Sequence, residues 1–173
     1  MKTSLPFIHL TFGIAFLLSS FTNFAKSKQP RDGGTYRLSL QDLIQIHKSR
    51  DPQAIDAQIT DRKWLYISSE KEGQNQIDMW SYEVYYHQVR AMLLNVFSTE
   101  KGIQNNQTQL YLFHKEDSEQ LISELEEAQF KKVREKTENN QTYLRYQNEE
   151  FVVFIQIDTT QALPYRFTLA SLR

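Results

Sequence analysis

Cysteine is absent from the 173 residues, which excludes disulfides, thiolate catalysis and cysteine-held metal together. Charge of one sign is missing as well. The 20 Lys and Arg stand against 21 Asp and Glu, a formal net charge of -1, without the basic excess on which nucleic-acid binding ordinarily draws. Glycine (5) and proline (4) are scarce, and the one glycine pair, Gly33-Gly34, precedes neither a strand nor a Lys-Ser/Thr, so no phosphate-cradling loop is present. No Gly-x-Ser-x-Gly elbow supplies a strained nucleophile. What remains is a globular composition, 24% charged and 13% aromatic, in a chain long enough to bury a core.

The one long apolar run lies at the N-terminus. Lys2 is followed by Leu5 to Phe21 without a charge, then by Thr22-Asn-Phe-Ala25 and the next charge at Lys26. This is the order of a secretory signal peptide, with cleavage expected near Ala25, leaving a secreted or periplasmic chain without a stable membrane insertion. An uncleaved anchor is the competing reading of the same run, which Pro6, His9 and its short length count against. Residues 26–35, with Gly, Pro and mixed charge, read as a flexible leader.

Order is expected from Tyr36. Ser39 with Asp42 three residues later is a capping pair for a short amphipathic helix carrying Leu40, Leu43, Ile44 and His47. Asp51-Pro52 starts a second, with Ile55 and Ile59 one turn apart. From Trp64 the period changes to two, through strands at Trp64–Ile67, Ile77–Tyr85, Val89–Phe97 and Gln109–Phe113, separated by polar loops that suit an antiparallel meander. A helix capped by Asp117 follows, carrying Leu121, Ile122, Leu125 and Ala128, then strands at Phe130–Lys136, Thr142–Gln147, Phe151–Ile157 and Tyr165–Leu172.

At one fixed offset the two halves fall on each other: Asp51 on Asp117, Ile55 on Leu121, Ile59 on Leu125, Trp64 on Phe130, Ile67 on Val133, Ile77 on Tyr143 and Trp80 on Tyr146. Duplication and a coincidence of two similar helix-to-strand units both account for this. The expected fold is α+β, helices packed on an antiparallel sheet, as one compact domain or two tandem units of helix plus four-stranded meander over residues 36–115 and 116–173. In outline this resembles the tandem units of beta-lactamase inhibitor proteins, which bind an enzyme through a concave sheet. Their disulfides have no counterpart here, and the resemblance transfers no residue.

Catalytic and metal chemistry find little foothold. Beyond the apolar run only His47, His87 and His114 occur, far from the spacing of a helical metal pair. The carboxylates Glu116 to Glu119 and Glu124 to Glu127 read as first-turn and solvent-face charges, and Glu149-Glu150 as a hairpin connection. Asn106-Gln-Thr108 and Asn140-Gln-Thr142 fit the glycosylation pattern and read as polar turns. No cofactor, metal or catalytic residue is expected. The stretch Met79–Arg90 holds aromatics on both faces of its strand, and Trp80, Tyr82, Tyr85, Tyr86, His87 and Arg90 are the candidate partner-binding residues. The expected role is a non-catalytic domain binding a protein of the cell envelope and no nucleic acid. A small-molecule or carbohydrate site lined by Trp64, Trp80 and tyrosines, or a hydrolase using His87, are the alternatives.

Overall fold

The computed structural model describes residues 37–49, 51–83, 89–100 and 103–172, all within one compact unit, Asp32–Arg173. The expected signal segment lies outside the described residues. So do Tyr85, Tyr86 and His87.

Helix α1 (Leu40–Lys48) begins as the capping pair dictates: Ser39 accepts from the Asp42 amide, and the Asp42 carboxylate accepts from the Ser39 amide in return. Helix α2 (Pro52–Ile59) starts on the Asp51 side chain, which accepts from the Gln53 amide at 3.0 Å, with proline at the first helical position. A 3-10 turn, Thr60–Arg62, then delivers the chain through Lys63, in the left-handed region, to β1 (Trp64–Glu72). The remaining elements are β2 (Asn75–Glu83), β3 (Val89–Glu100), β4 (Ile103–Leu112), α3 (Lys115–Glu127), β5 (Lys131–Glu138), β6 (Gln141–Gln147), β7 (Phe151–Asp158) and β8 (Tyr165–Ser171).

All eight strands form one antiparallel sheet in the order β1-β2-β3-β4-β8-β7-β6-β5. Two meanders therefore meet through their last strands, β4 and β8, and the edges of the sheet are β1 and β5. Several strands exceed the expected lengths. The polar stretches at Glu70 to Gln76 and Thr99 to Gln107 are mostly strand, because ladder hydrogen bonds continue beyond the buried core: the β1–β2 turn is only Gly73-Gln74, and β3 pairs β4 out to Glu100 and Ile103. Asn106 consequently sits within β4 and not in a turn, whereas Asn140 is in the β5–β6 turn. The α3 start is also displaced: His114 holds the N-cap position without a side-chain bond, and Asp117 lies inside the first turn, where its charge favours the helix N-terminus.

The buried cluster takes alternate residues from the strands. Trp64, Trp80, Leu93, Leu110, Phe130, Tyr146, Val153, Ile155, Phe167 and Leu169 share it with Ile46, Ile55, Ile59, Leu121 and Leu125 of the three helices. Leu94, Val96, Tyr111 and Val152 are buried outside that cluster, on the opposite face. Carboxylates tie helices to strands and to one another. Asp56 accepts from the Trp80 indole at 3.2 Å, and Glu126 accepts from the Tyr146 hydroxyl at 3.4 Å. Glu124, expected on the solvent face, instead accepts from Arg37 and from the Leu40 amide at the start of α1.

The fixed offset reappears in backbone irregularities that hydrophobic pattern does not encode. Lys63 and Gln129, both with positive φ, correspond; so do the bulges between Tyr66 and Ser68 on β1 and between Lys132 and Arg134 on β5; so do the turn residues Gly73 (φ +62°) and Asn139 (φ +51°). A side chain at Gly73 would meet nothing within 4 Å, so the constraint there is backbone conformation alone. Gly73→Asn is expected to be nearly neutral, as asparagine tolerates this region, whereas Gly73→Ala should cost about 1 kcal/mol, read from urea midpoints of the two variants.

Candidate interaction surface

The strand registers align the outer face of the sheet, opposite the buried cluster, into three rows crossing all eight strands. The middle row runs Ser68, Met79, Leu94, Gln109, then Thr168, Phe154, Arg145 and Arg134. Its junction is the Gln109–Thr168 pair of β4 and β8. One flanking row begins with Leu65 and Ser81 and ends with Arg166, Gln156, Tyr143 and Lys136; the other begins with Glu70 and Ile77 and ends with Gln147 and Lys131.

The two halves of this face differ in chemistry. Across β1–β4 the apolar Leu65 (53% exposed), Ile77, Met79 and Leu94 share the rows with Ser68, Ser81, Gln109 and Glu70, and Ile67 at the β1 bulge is 52% exposed. Across β5–β8 it carries Lys131, Arg134, Lys136, Arg145 and Arg166; none of the residues these four strands contribute to the three rows is a carboxylate, while Glu149 and Glu150 border the same hollow as Lys131. Glu138 and Asp158 stand one position beyond: Glu138 pairs with Lys136, while Asp158 accepts from Gln141 and from the Thr160 hydroxyl at 2.7 and 2.6 Å. Arg145 lies 5.5 Å from the Phe154 ring centroid and donates to Gln147 at 3.0 Å, yet its buried Nε has no hydrogen-bond partner. Arg166 donates to Gln156. Burial raises the Tyr111 hydroxyl pKa, partly offset by Arg166 beside it.

Of the residues singled out from sequence, Trp80 and Tyr82 are fully buried in the core, and Arg90 is buried too. Trp64, the other tryptophan of the pocket alternative, is 2% exposed. The outer face lies on the alternate residues of the same strands; its exposed residues are at the edge strands, such as Leu65 on β1 and Arg134 on β5, whereas Ser81, Leu94, Val96, Tyr111 and Val152 in its middle are buried. Leu65, Ile67, Arg134 and Arg145 are not among the residues the sequence pattern marks; the fixed offset distinguishes two of them, setting Leu65 against Lys131 and Met79 against Arg145 while keeping Trp64 against Phe130 apolar.

His47 is neither exposed nor engaged with the helix-terminal carbonyls. Its Nδ1 is 3.2 Å from the Thr108 hydroxyl and its Nε2 3.1 Å from that of Ser171. Because Thr108 donates its own proton to Asn95 at 2.9 Å, it accepts from His47 Nδ1–H, which leaves Nε2 to accept from Ser171. Burial, and then the adjacent Lys48 charge, hold the imidazole pKa below its usual 6.5.

Comparison of the chain with protein-family models, with curated proteins and with solved structures finds no match. The outline likeness to tandem beta-lactamase inhibitor units accordingly carries no argument about the binding surface. Among the described residues no three His, Asp or Glu side chains group as a metal site, and no helix is long and apolar enough to cross a membrane. The described residues border an open hollow of about 470 Å³ at His47, Lys48, Glu150 and Phe151, and another of about 510 Å³ at Lys131, Val133, Gln147, Glu149 and Glu150.

Proposed function

We propose that this protein is an exported, non-catalytic binding domain, built as two tandem helix-plus-meander units, that engages a protein of the cell envelope through the outer face of its sheet. The signal-like N-terminus supports export, and the paired bulges, left-handed residues and turns at one offset support the tandem reading. The observation that carries the binding role is selective divergence. Where the offset pairs core residues, the chemistry is retained, as in Ile55 with Leu121 and Trp80 with Tyr146. At two outer-face pairs it switches from apolar to cationic, Leu65 to Lys131 and Met79 to Arg145, whereas Ile67 with Val133 stays apolar. A scaffold needs only the first; exposed apolar side chains at the β1 edge and a cluster of cations toward the β5 edge of the same face are a property of contact with something else. The carbohydrate-pocket alternative loses its tryptophans to the core, since buried rings cannot stack on a sugar.

Capture from an envelope extract, followed by reconstitution with the purified partner, tests this reading. The double variant Leu65→Ser, Ile67→Ser should keep the thermal midpoint and lose the partner, because both side chains are about half exposed, whereas Lys48→Gln should retain it. A partner held equally by all three proteins would exclude the outer face as the binding surface.

A further inference from the structure

Resting on that reading, we infer that the β5–β8 half of the outer face is a receptor for an acidic polypeptide segment of the partner, with Arg134 and Arg145 at its centre. These two arginines stand directly opposite each other on adjacent strands, so their Cα atoms are about 5 Å apart. Like charges in this relation destabilise a sheet. Among the described residues neither is paired with a carboxylate. Lys131 and Lys136 flank them along β5, Lys136 already paired with Glu138, and Arg166 adds a fifth cation two strands away.

Arg145 carries a second, independent sign of the same cost. Its guanidinium is fixed over Phe154 by one bond to Gln147 while its Nε–H stays buried without an acceptor. A surface selected for stability alone would replace such a residue; one that waits for carboxylates keeps it, with the planar donor fork already oriented. The occupant is a polypeptide and not a nucleic acid on two grounds. The chain as a whole is at -1, without the long-range attraction that gathers a polyphosphate, and the cations stand beside Phe154 and Tyr143 on the same face, which a mixed acidic and apolar protein surface complements.

The test is fluorescence anisotropy of a labelled glutamate-rich peptide at low salt, beside a thymidine oligonucleotide, a sulfated oligosaccharide and a lysine-rich peptide. The acidic peptide should bind and be weakened by added salt. Arg134→Gln and Arg145→Met should each reduce its affinity about tenfold or more, with Lys48→Gln unchanged. Arg145→Met should do so with an unchanged or raised thermal midpoint, which a structural arginine would not permit. Arg134→Gln, at an exposed position, reads the charge without touching the core. Equal affinity in wild type and both variants, or variant-sensitive binding that favours the oligonucleotide or the oligosaccharide, would overturn the inference. If the envelope partner is lost in Leu65→Ser, Ile67→Ser yet retained in both arginine variants, this inference fails and the binding role stands; if it survives all of them, both fail.

Discussion

Trp80→Ala is expected to destabilise the protein by about 3–5 kcal/mol, enough to abolish the folded state of a marginal domain. The indole is completely excluded from solvent, lies 5.5 Å centroid to centroid from the Tyr66 ring, and donates to Asp56 of α2. Removing it leaves a cavity at the point where the cluster joins β2 and β3 to the helices, and leaves the Asp56 carboxylate without that donor. Trp80→Phe separates the two contributions, since the ring volume is largely kept and only the bond is lost, for about 1 kcal/mol. Urea unfolding followed by the fluorescence of Trp64 measures both. A loss below about 1 kcal/mol for Trp80→Ala would mean that the cluster is not organised around this side chain.

Thr108→Val should cost about 2–3 kcal/mol although it changes almost no volume. The hydroxyl is at once the acceptor for His47 Nδ1–H and the donor to Asn95 Oδ1, all three side chains being buried, so its removal strands two polar groups. Thr108→Ser, which keeps the hydroxyl, should lose about 1 kcal/mol or less. Acid dependence arises at the same seam. The folded-state pKa of His47 lies below the unfolded 6.5, so the unfolded chain takes up the proton first; stability is complete above about 6.5 and falls as the pH drops below it, until the folded state also titrates. The groups near the imidazole are Lys48, which opposes its charging, and Glu150, which is well exposed and 3.7 Å from Lys48. Asp42 acts in a lower window. Burial raises its pKa, but the fork from Arg62, with the second contact at 2.9 Å, and the bonds from Ser39 bring it below 3.8 overall, so its contribution is lost only as the pH falls through that region. His47→Phe should therefore flatten the stability profile just below about pH 6.5 without altering the loss as the pH falls below about 4, as read from urea midpoints across the range.

Much of the fold was legible because short-range chemistry wrote it. The Ser39–Asp42 pair and Asp51-Pro52 specify helix starts by satisfying amides that would otherwise lack partners, and the change of period at Trp64 marks where side chains begin to alternate. The start of α3 was misplaced because Asp117 is a good cap by type, yet the chain leaving β4 enters the helix earlier, at Lys115. Strand lengths were underestimated wherever the hydrophobic signal ends before the ladder does, as in β4, whose first half is Ile103 to Thr108.

The candidate surface was less legible. An aromatic side chain in a strand looks the same in sequence whether it turns to the core or to solvent, and for Trp80 and Tyr82 the register of β2 against β1 and β3 decided the matter in favour of the core. The bulge at β5, by shifting one residue, sets Arg134 opposite Arg145 and Lys136 opposite Tyr143, an alignment no local pattern contains. Sequence by itself determined the element types, their capping, the absence of cysteine chemistry and the correspondence between halves, since each depends on near neighbours or on composition. Only the tertiary structure decided which alternate residues face outward, that β4 and β8 join the two meanders, and that five cations share one surface, because strand pairing brings together residues whose separation along the chain carries no information about their distance in space.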